Sequence, residues 1–174
     1  NIVRKVAKRG LSVLFVSLEM SKEQITQKLL ALETGLSTQE LVGKMDAQAV
    51  DKVTEAATQI HGLPLTLNRK PGATVSDIAN MARAVKDLAM ICVDYVGLIE
   101  PDNKQVKRYE GVSQVSRDLK QLALRLNIPI LGLAQLNREV TGRTDKRPVI
   151  SDLRDSGGLE QDADGIILLH RPDY

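Results

Sequence analysis

Three polar side chains follow apolar stretches of the sequence and could act together on a nucleotide. They are, in chain order, Glu19, Asp94 and Gln135. If the apolar stretches are parallel strands, their carboxyl ends meet at one edge of a sheet, which is where ligands of such sheets bind. Two acids and an amide at that edge could supply a general base, a metal ligand and a phosphate sensor. Either acid could instead cap a helix or face solvent, because loops after strands are usually polar.

The second stretch has the form of a Walker B motif, in which apolar residues 90–93 end in Asp94. In that motif the carboxylate holds Mg²⁺ beside the β- and γ-phosphates of a nucleotide. The motif is weak by itself, because many buried strands end in Asp without a catalytic role. The presence of all three strand-end residues favours the nucleotide site.

The phosphate-binding loop that such a site requires, Gly-x-x-x-x-Gly-Lys-[Ser/Thr], occurs nowhere in the sequence. The apolar spacing of residues 1–9 is typical of a helix that Gly10 ends, and no strand precedes it. That loop joins a first strand to a first helix. We therefore expect the first strand and the phosphate loop to be missing from these residues; a protein without a nucleotide site is the alternative.

A glycine-hinged block, residues 154–164, is a candidate for contact with nucleic acid. Its Gly157–Gly158 pair would let backbone amides approach a phosphate while Arg154 supplies charge. The block could also be an ordinary surface turn. Basic residues in the loops after Asp94 and Gln135 could line a positive channel or form a solvated face; they are Lys104, Lys107, Arg108, Arg138, Arg143, Lys146 and Arg147.

Composition argues against several other classes of protein. No apolar run approaches the roughly 20 residues of a membrane-spanning helix, and no signal peptide opens the sequence, so we expect a soluble, cytoplasmic protein. A net charge of +2 requires any nucleic-acid contact to be a local patch, and 2% aromatic residues disfavour base stacking. Cys92 lies in an apolar run and is predicted to be a buried hydrophobe. His61 and His170 lack the spacing of metal ligands.

Apolar runs and helically spaced apolar residues alternate along the sequence, and they predict the strands and helices that position these residues. Short apolar runs predict strands at 11–17, 65–67, 89–94, 128–134 and 165–170. Helical spacing and capping boxes that begin at Ser21 and Ser37 predict helices between the strands. Together they predict one α/β domain over residues 1–174, with a mostly parallel sheet and helices on both faces.

Four segments carry a distinctive pattern in order and spacing over nearly the whole chain. They are residues 16–20, 93–95, 134–138 and, above all, 145–164. Together they resemble the C-terminal helicase domain of DnaB-family replicative DNA helicases. The resemblance implies a RecA-like P-loop NTPase core.

The same resemblance implies roles for individual residues. Glu19 would be the catalytic base that polarises the attacking water, and Asp94 the magnesium ligand. Gln135 would couple the state of the γ-phosphate to the DNA loops, with help from Arg138. ATP and Mg²⁺ would be the cofactors.

The resemblance also implies a DNA loop that grips the phosphates of single-stranded DNA. Arg154, Asp155 and Gly157 would belong to this loop. The family usually has Glu where this sequence has Asp155. The carboxylate of Asp155 is one methylene closer to the backbone, so its reach towards DNA is shorter than that of the usual Glu.

The activity implied by the resemblance is ATP-dependent 5′–3′ unwinding of forked DNA by a homohexamer. Primase and a helicase loader would be its partners in the primosome, and it would act in the cytoplasm at the nucleoid, or in the host cytoplasm if phage-encoded. Two alternatives stay open. A RecA-like recombinase would share Glu19 and Asp94, and a DNA-encircling ring subunit would have no catalytic site.

Overall fold

A parallel four-stranded sheet lies at the centre of the residues that the computed structural model describes, which are 1–103, 108–137, 142, 143, 145–153 and 157–171. The strands are β1 (Ser12–Ser17), β2 (Leu65–Arg69), β3 (Leu88–Asp94) and β4 (Ile130–Gly132). Their order in the sheet is β2-β1-β3-β4, and every pair is parallel. The predicted parallel sheet is therefore confirmed.

Helices precede the first strand, connect the strands and follow the last of them. They are α1 (Ile2–Ala7), α2 (Lys22–Thr34), α3 (Thr38–Val42), α4 (Ala47–His61), α5 (Val75–Arg83), α6 (Arg108–Leu126) and α7 (Gly157–Asp162). Short 3₁₀ turns occupy Val96–Leu98 and Ile150–Asp152. No helix among the described residues has both the length and the apolar character needed to cross a membrane.

Both predicted capping boxes form. The Ser21 hydroxyl accepts from the Gln24 N–H at 3.3 Å, and the Gln24 side chain accepts from the Ser21 N–H at 2.9 Å. Ser37 and Glu40 make the same reciprocal pair at the start of α3. Gly35 ends α2 at a φ of 75°, a left-handed conformation that glycine adopts at little cost.

Alternate residues of the central strands enter two separate apolar cores, one on each face of the sheet. On one face, Leu14 and Ile91 pack against α5 and α6, and both are 0% exposed. On the other face, Val13 and Cys92 pack with α1. Side chains of a strand alternate between its two faces, so a continuous apolar run serves both cores. Helices on both faces are confirmed.

The predicted strand at residues 165–170 is wrong. This segment has no regular structure, and its Ile167 and Leu169 side chains are 79% and 84% exposed. A strand needs a neighbour to hydrogen-bond with, and no described strand pairs with this segment. The strand predicted at 128–134 is also shorter than expected, because only Ile130–Gly132 pairs with β3.

Candidate functional site

The turn after β1 is held by buried hydrogen bonds and presents Glu19 at the edge of the sheet. Ser17 is fully buried, and its hydroxyl donates to the Met20 carbonyl at 2.7 Å. The Leu18 N–H donates to the Asp94 carbonyl at 2.9 Å, which joins this turn to the end of β3. Glu19 is exposed, and within the described residues no hydrogen bond or ion pair engages its carboxylate. The carboxylate is thus available to a ligand.

Asp94 is the last residue of β3 and lies opposite Ser17 in the parallel ladder. Its side chain is half-buried, and the described part of the chain places no hydrogen bond or cation against it. Mg²⁺ is commonly held by one or two carboxylates, with water and phosphate oxygens completing its shell. The described residues gather no group of three His, Cys, Asp or Glu side chains. The Asp94 carboxylate is a ligand of the kind that Mg²⁺ takes when water and phosphate supply the others.

Gln135 lies beyond β4 at the same edge of the sheet. The Leu133 N–H donates to the Val93 carbonyl at 3.0 Å, and the Val96 N–H donates to the Leu133 carbonyl at 2.8 Å. These bonds hold the chain after β4 against the chain after β3. The Gln135 side chain is exposed. The structure thus brings Glu19, Asp94 and Gln135 to the ends of three strands that are neighbours in the sheet, as predicted. The roles of these residues stay predictions.

A buried aspartate, Asp152, organises the segment that follows Gln135. It is 7% exposed, and its carboxylate accepts from the Val149 N–H at 2.7 Å and from the Arg143 guanidinium. Its backbone carbonyl accepts from the Asn137 N–H at 2.7 Å. The Val149 N–H, joined by the Arg143 ion pair, holds the pKa of this carboxyl below its ordinary value despite burial. Asp152 is therefore charged at neutral pH.

Helix α7 packs closely on α6 at a glycine. A Cβ atom added to Gly158 would lie 2.7 Å from the Ser113 Cα atom, well inside van der Waals contact. Lys120 of α6 and Asp164, two residues beyond α7, form an ion pair that is a second link to α6. We predicted that the glycine pair allows close approach to phosphate. At Gly158 the structure gives another reason for glycine, the packing of two helices.

Several predicted DNA-contact residues lie outside the described residues: Lys104, Lys107, Arg138, Arg154 and Asp155. Gly157 is the first residue of α7, and Arg108 is the first residue of α6. Arg143, one of the basic residues that could line a positive channel or form a solvated face, forms an ion pair with Asp152. Lys146 and Arg147 are exposed.

Sequence reasoning missed the positioning roles of Ser17 and Asp152, and it assigned Gly158 to phosphate contact rather than to helix packing. The Asp152 carboxylate accepts from the Val149 N–H three residues earlier, which is one half of a capping box, but valine has no side-chain oxygen to complete it, so the sequence showed no capping-box pattern here. Nothing in the neighbouring sequence shows the hydrogen bond of Ser17 or the packing role of Gly158. Their partners, the Met20 carbonyl and the Ser113 backbone, become visible only in three dimensions.

Comparison with known proteins agrees with this architecture. One solved ATPase domain superposes with a TM-score of 0.94 at 33% identity, over 99% of this chain and 63% of that one. A solved DnaB-like replicative helicase, determined with its interactions with primase, gives a TM-score of 0.88 at 32% identity, over 93% of this chain and 42% of that one. The replicative DNA helicase DnaB of Mycobacterium intracellulare is 41% identical over 169 residues, which are 95% of this chain and 29% of the relative.

The parallel sheet, its helices and these superpositions define the fold as a RecA-like ATPase core. The family model for the DnaB-like helicase C terminal domain matches residues 1–174, and the chain belongs to that family. The chain spans 29% of the M. intracellulare helicase.

Proposed function

We propose that this chain forms the ATP-hydrolysing part of a replicative DNA helicase, which moves along single-stranded DNA and unwinds the duplex ahead of it. The strongest support is the shared sheet edge, where Glu19 and Asp94 follow hydrogen-bonded neighbouring strands and Gln135 follows the next strand. In phosphoryl transfer the protein contributes mainly positioning and charge. An edge that gathers an amide and two carboxylates, neither of them paired within the described ranges, suits that chemistry.

Each residue of the edge has a separate role in this proposal. Glu19, whose carboxylate is exposed and unpaired among the described residues, accepts a hydrogen bond from the attacking water and orients it. Asp94 holds Mg²⁺, which when bound neutralises charge on the β- and γ-phosphates. The side-chain amide N–H of Gln135 donates a hydrogen bond to a γ-phosphate oxygen, and this acceptor is lost after hydrolysis. Arg138 assists Gln135 in relaying this loss to the DNA loop.

The proposed DNA contact is the segment that joins the 3₁₀ turn Ile150–Asp152 to α7. Arg154, Asp155 and Gly157 belong to the loop that grips the phosphates of one strand, and Arg154 supplies its positive charge. The exposed Lys146 and Arg147 add positive charge nearby in the chain, and charge of this kind supplies sequence-independent affinity for DNA. Asp155 brings its carboxylate one methylene closer to the backbone than the usual Glu would.

The proposed assembly is a homohexameric ring in which residues 1–174 are part of one ATPase domain. ATP binds between neighbouring subunits, so hydrolysis depends on the ring. Translocation is proposed to run 5′–3′ at replication forks associated with the nucleoid. Primase is a proposed partner, supported by the relative whose interactions with primase were determined, and a helicase loader is a second.

The test of this function compares the intact natural protein with Glu19→Gln in assays of fork unwinding and DNA-stimulated ATP hydrolysis. Loss of a general base typically slows a reaction about 10²–10⁴-fold. We therefore expect Glu19→Gln to bind nucleotide but to lose both activities by at least about 100-fold. Glu55→Gln, which changes an exposed glutamate on α4, is the matched control and keeps both.

Other outcomes contradict specific parts of the proposal. Hydrolysis that survives Glu19→Gln would remove Glu19 from the site. A natural protein that hydrolyses ATP and exchanges strands without unwinding forks is a recombinase, and one that encircles DNA without hydrolysis is a ring subunit without catalytic function.

A further inference from the structure

Asp152 holds together three short pieces of the chain between residues 136 and 153. Its carbonyl accepts from the Asn137 N–H at 2.7 Å, and Leu136 and Leu153 form an antiparallel bridge beside this bond. Its carboxylate accepts from the Val149 N–H at 2.7 Å and from the Arg143 guanidinium. One residue therefore joins the chain that leaves β4 to the chain that enters the DNA loop.

The bridge places two proposed functional positions next to bridged residues. Gln135 is bonded to Leu136, and Arg154 is bonded to Leu153. Consecutive Cα atoms are held about 3.8 Å apart by the peptide bond, so a shift of either bridged residue also moves its neighbour in the chain. A displacement of Gln135 can thus reach the start of the DNA loop through a single pair of residues, provided that the pair stays together.

We propose that Asp152 is a positioning residue that couples the nucleotide edge to the DNA loop, by keeping residues 136–137 and 149–153 together as one body. This proposal rests on the proposed function and extends it. Asp152 touches neither ATP nor DNA in this scheme. It transmits motion between the residues that do.

The chemistry of Asp152 suits this role. The side chain is buried, and a buried carboxylate is stable only when charged or hydrogen-bonding partners surround it. The Val149 N–H and the Arg143 guanidinium supply those partners. Bonds to a charged group are stronger than bonds between neutral groups, so the ionised carboxylate holds both partners firmly. Asparagine has nearly the same shape but lacks the charge that binds Arg143.

The experiment uses the intact protein and the substitution Asp152→Asn. Two quantities are measured: the ratio of DNA-stimulated to basal ATP hydrolysis, and the ratio of single-stranded DNA affinities with a non-hydrolysable ATP analogue and with ADP. Coupling energies between sites of about 1–3 kcal/mol correspond to factors of about 5–150. We expect both ratios to fall about fivefold or more towards one, while basal hydrolysis stays within about twofold of the natural rate.

A second variant removes the same interaction from its other side, so that the proposal can be tested even if Asp152→Asn does not fold. Arg143→Gln removes the charged partner from the half-exposed side of the pair, and we expect it to lower the same two ratios. The double variant should lose little more than either single variant, because both remove one interaction. Arg117→Gln removes an arginine charge from an exposed position on α6 and is the matched control.

The outcomes separate this proposal from the proposed function. If the natural protein shows DNA-stimulated hydrolysis and both ratios are unchanged in Arg143→Gln and in folded Asp152→Asn, the coupling role is overturned. It is also overturned if basal and stimulated hydrolysis fall in parallel, because that result indicates a purely structural role. If the natural protein shows no stimulation by DNA, the proposed function fails, and the coupling role fails with it.

Discussion

Replacing Gly158 by alanine tests how closely α7 must approach α6. The added Cβ atom would lie 2.7 Å from the Ser113 Cα atom and 3.1 Å from both the Cβ and Oγ atoms of Ser113. Carbon atoms at rest are about 3.5–4.0 Å apart, so α7 has to move away from α6 by about 1 Å. The nearest obstacle is backbone, so rotation of the Ser113 side chain cannot relieve it.

Two opposing effects set the size of the change. Alanine favours a helix over glycine by up to about 1 kcal/mol. Overpacking against a rigid neighbour costs about 1–3 kcal/mol. The cost of the clash exceeds the gain in helix propensity by about 1 kcal/mol. This difference corresponds to an approximately fivefold increase in the equilibrium constant for the opening of α7. Because α7 begins at Gly157, one of the proposed DNA-contact residues, we also expect weaker binding of single-stranded DNA.

Hydrogen exchange of α7 amides in the intact protein, together with DNA-binding titrations, measures both effects. Gly165→Ala is the control, because a Cβ atom there meets nothing within 4 Å. Adding Ser113→Gly to Gly158→Ala removes the two contacts at 3.1 Å but not the one at 2.7 Å, so we expect only partial recovery. Unchanged exchange in Gly158→Ala, or complete recovery in the double variant, would refute the packing argument.

Three further predictions concern the DNA contact, the cysteine and the response to acid. Arg154→Ala should weaken single-stranded DNA binding about tenfold or more while sparing basal ATP hydrolysis, since a hydrogen bond to a charged group is worth about 1.5–3 kcal/mol; equal loss of both contradicts this. Burial raises the pKa of the Cys92 thiol to about 12, so only about one molecule in ten thousand is thiolate at pH 8. A thiol reagent, followed at Cys92 by mass spectrometry, should therefore modify it only after unfolding; rapid labelling of the folded protein would contradict its burial. Lys70 and the Thr74 N–H hold the pKa of the Asp77 carboxyl below 3.8, so its contribution to stability is present above that pH and is lost as pH falls through the lowered pKa. The difference in urea midpoint between the natural protein and Asp77→Asn should therefore be smaller at about pH 3 than at about pH 6. An equal difference at the two pH values would contradict the assignment.

The sequence by itself determined those features that depend on neighbouring residues. Capping boxes join a residue to the one three positions later, so Ser21 and Ser37 could be recognised as helix starts without any tertiary information. Apolar runs identified β1 and β3 because strands covered on both faces leave few polar positions. Once the strands were parallel, chain direction alone brought Glu19 and Asp94 to one edge.

Tertiary structure decided everything that depends on a partner distant in sequence. Residues 165–170 have the composition of a buried strand, yet without a paired neighbour among the described residues they form none. Gly158 had two possible roles, and only the position of Ser113 showed the packing role. Arg143 had the charge of a DNA contact, but the fold pairs it with Asp152. A sequence pattern reports what a segment can bury or bind, whereas hydrogen bonds and close contacts require a second group whose place only the folded chain provides.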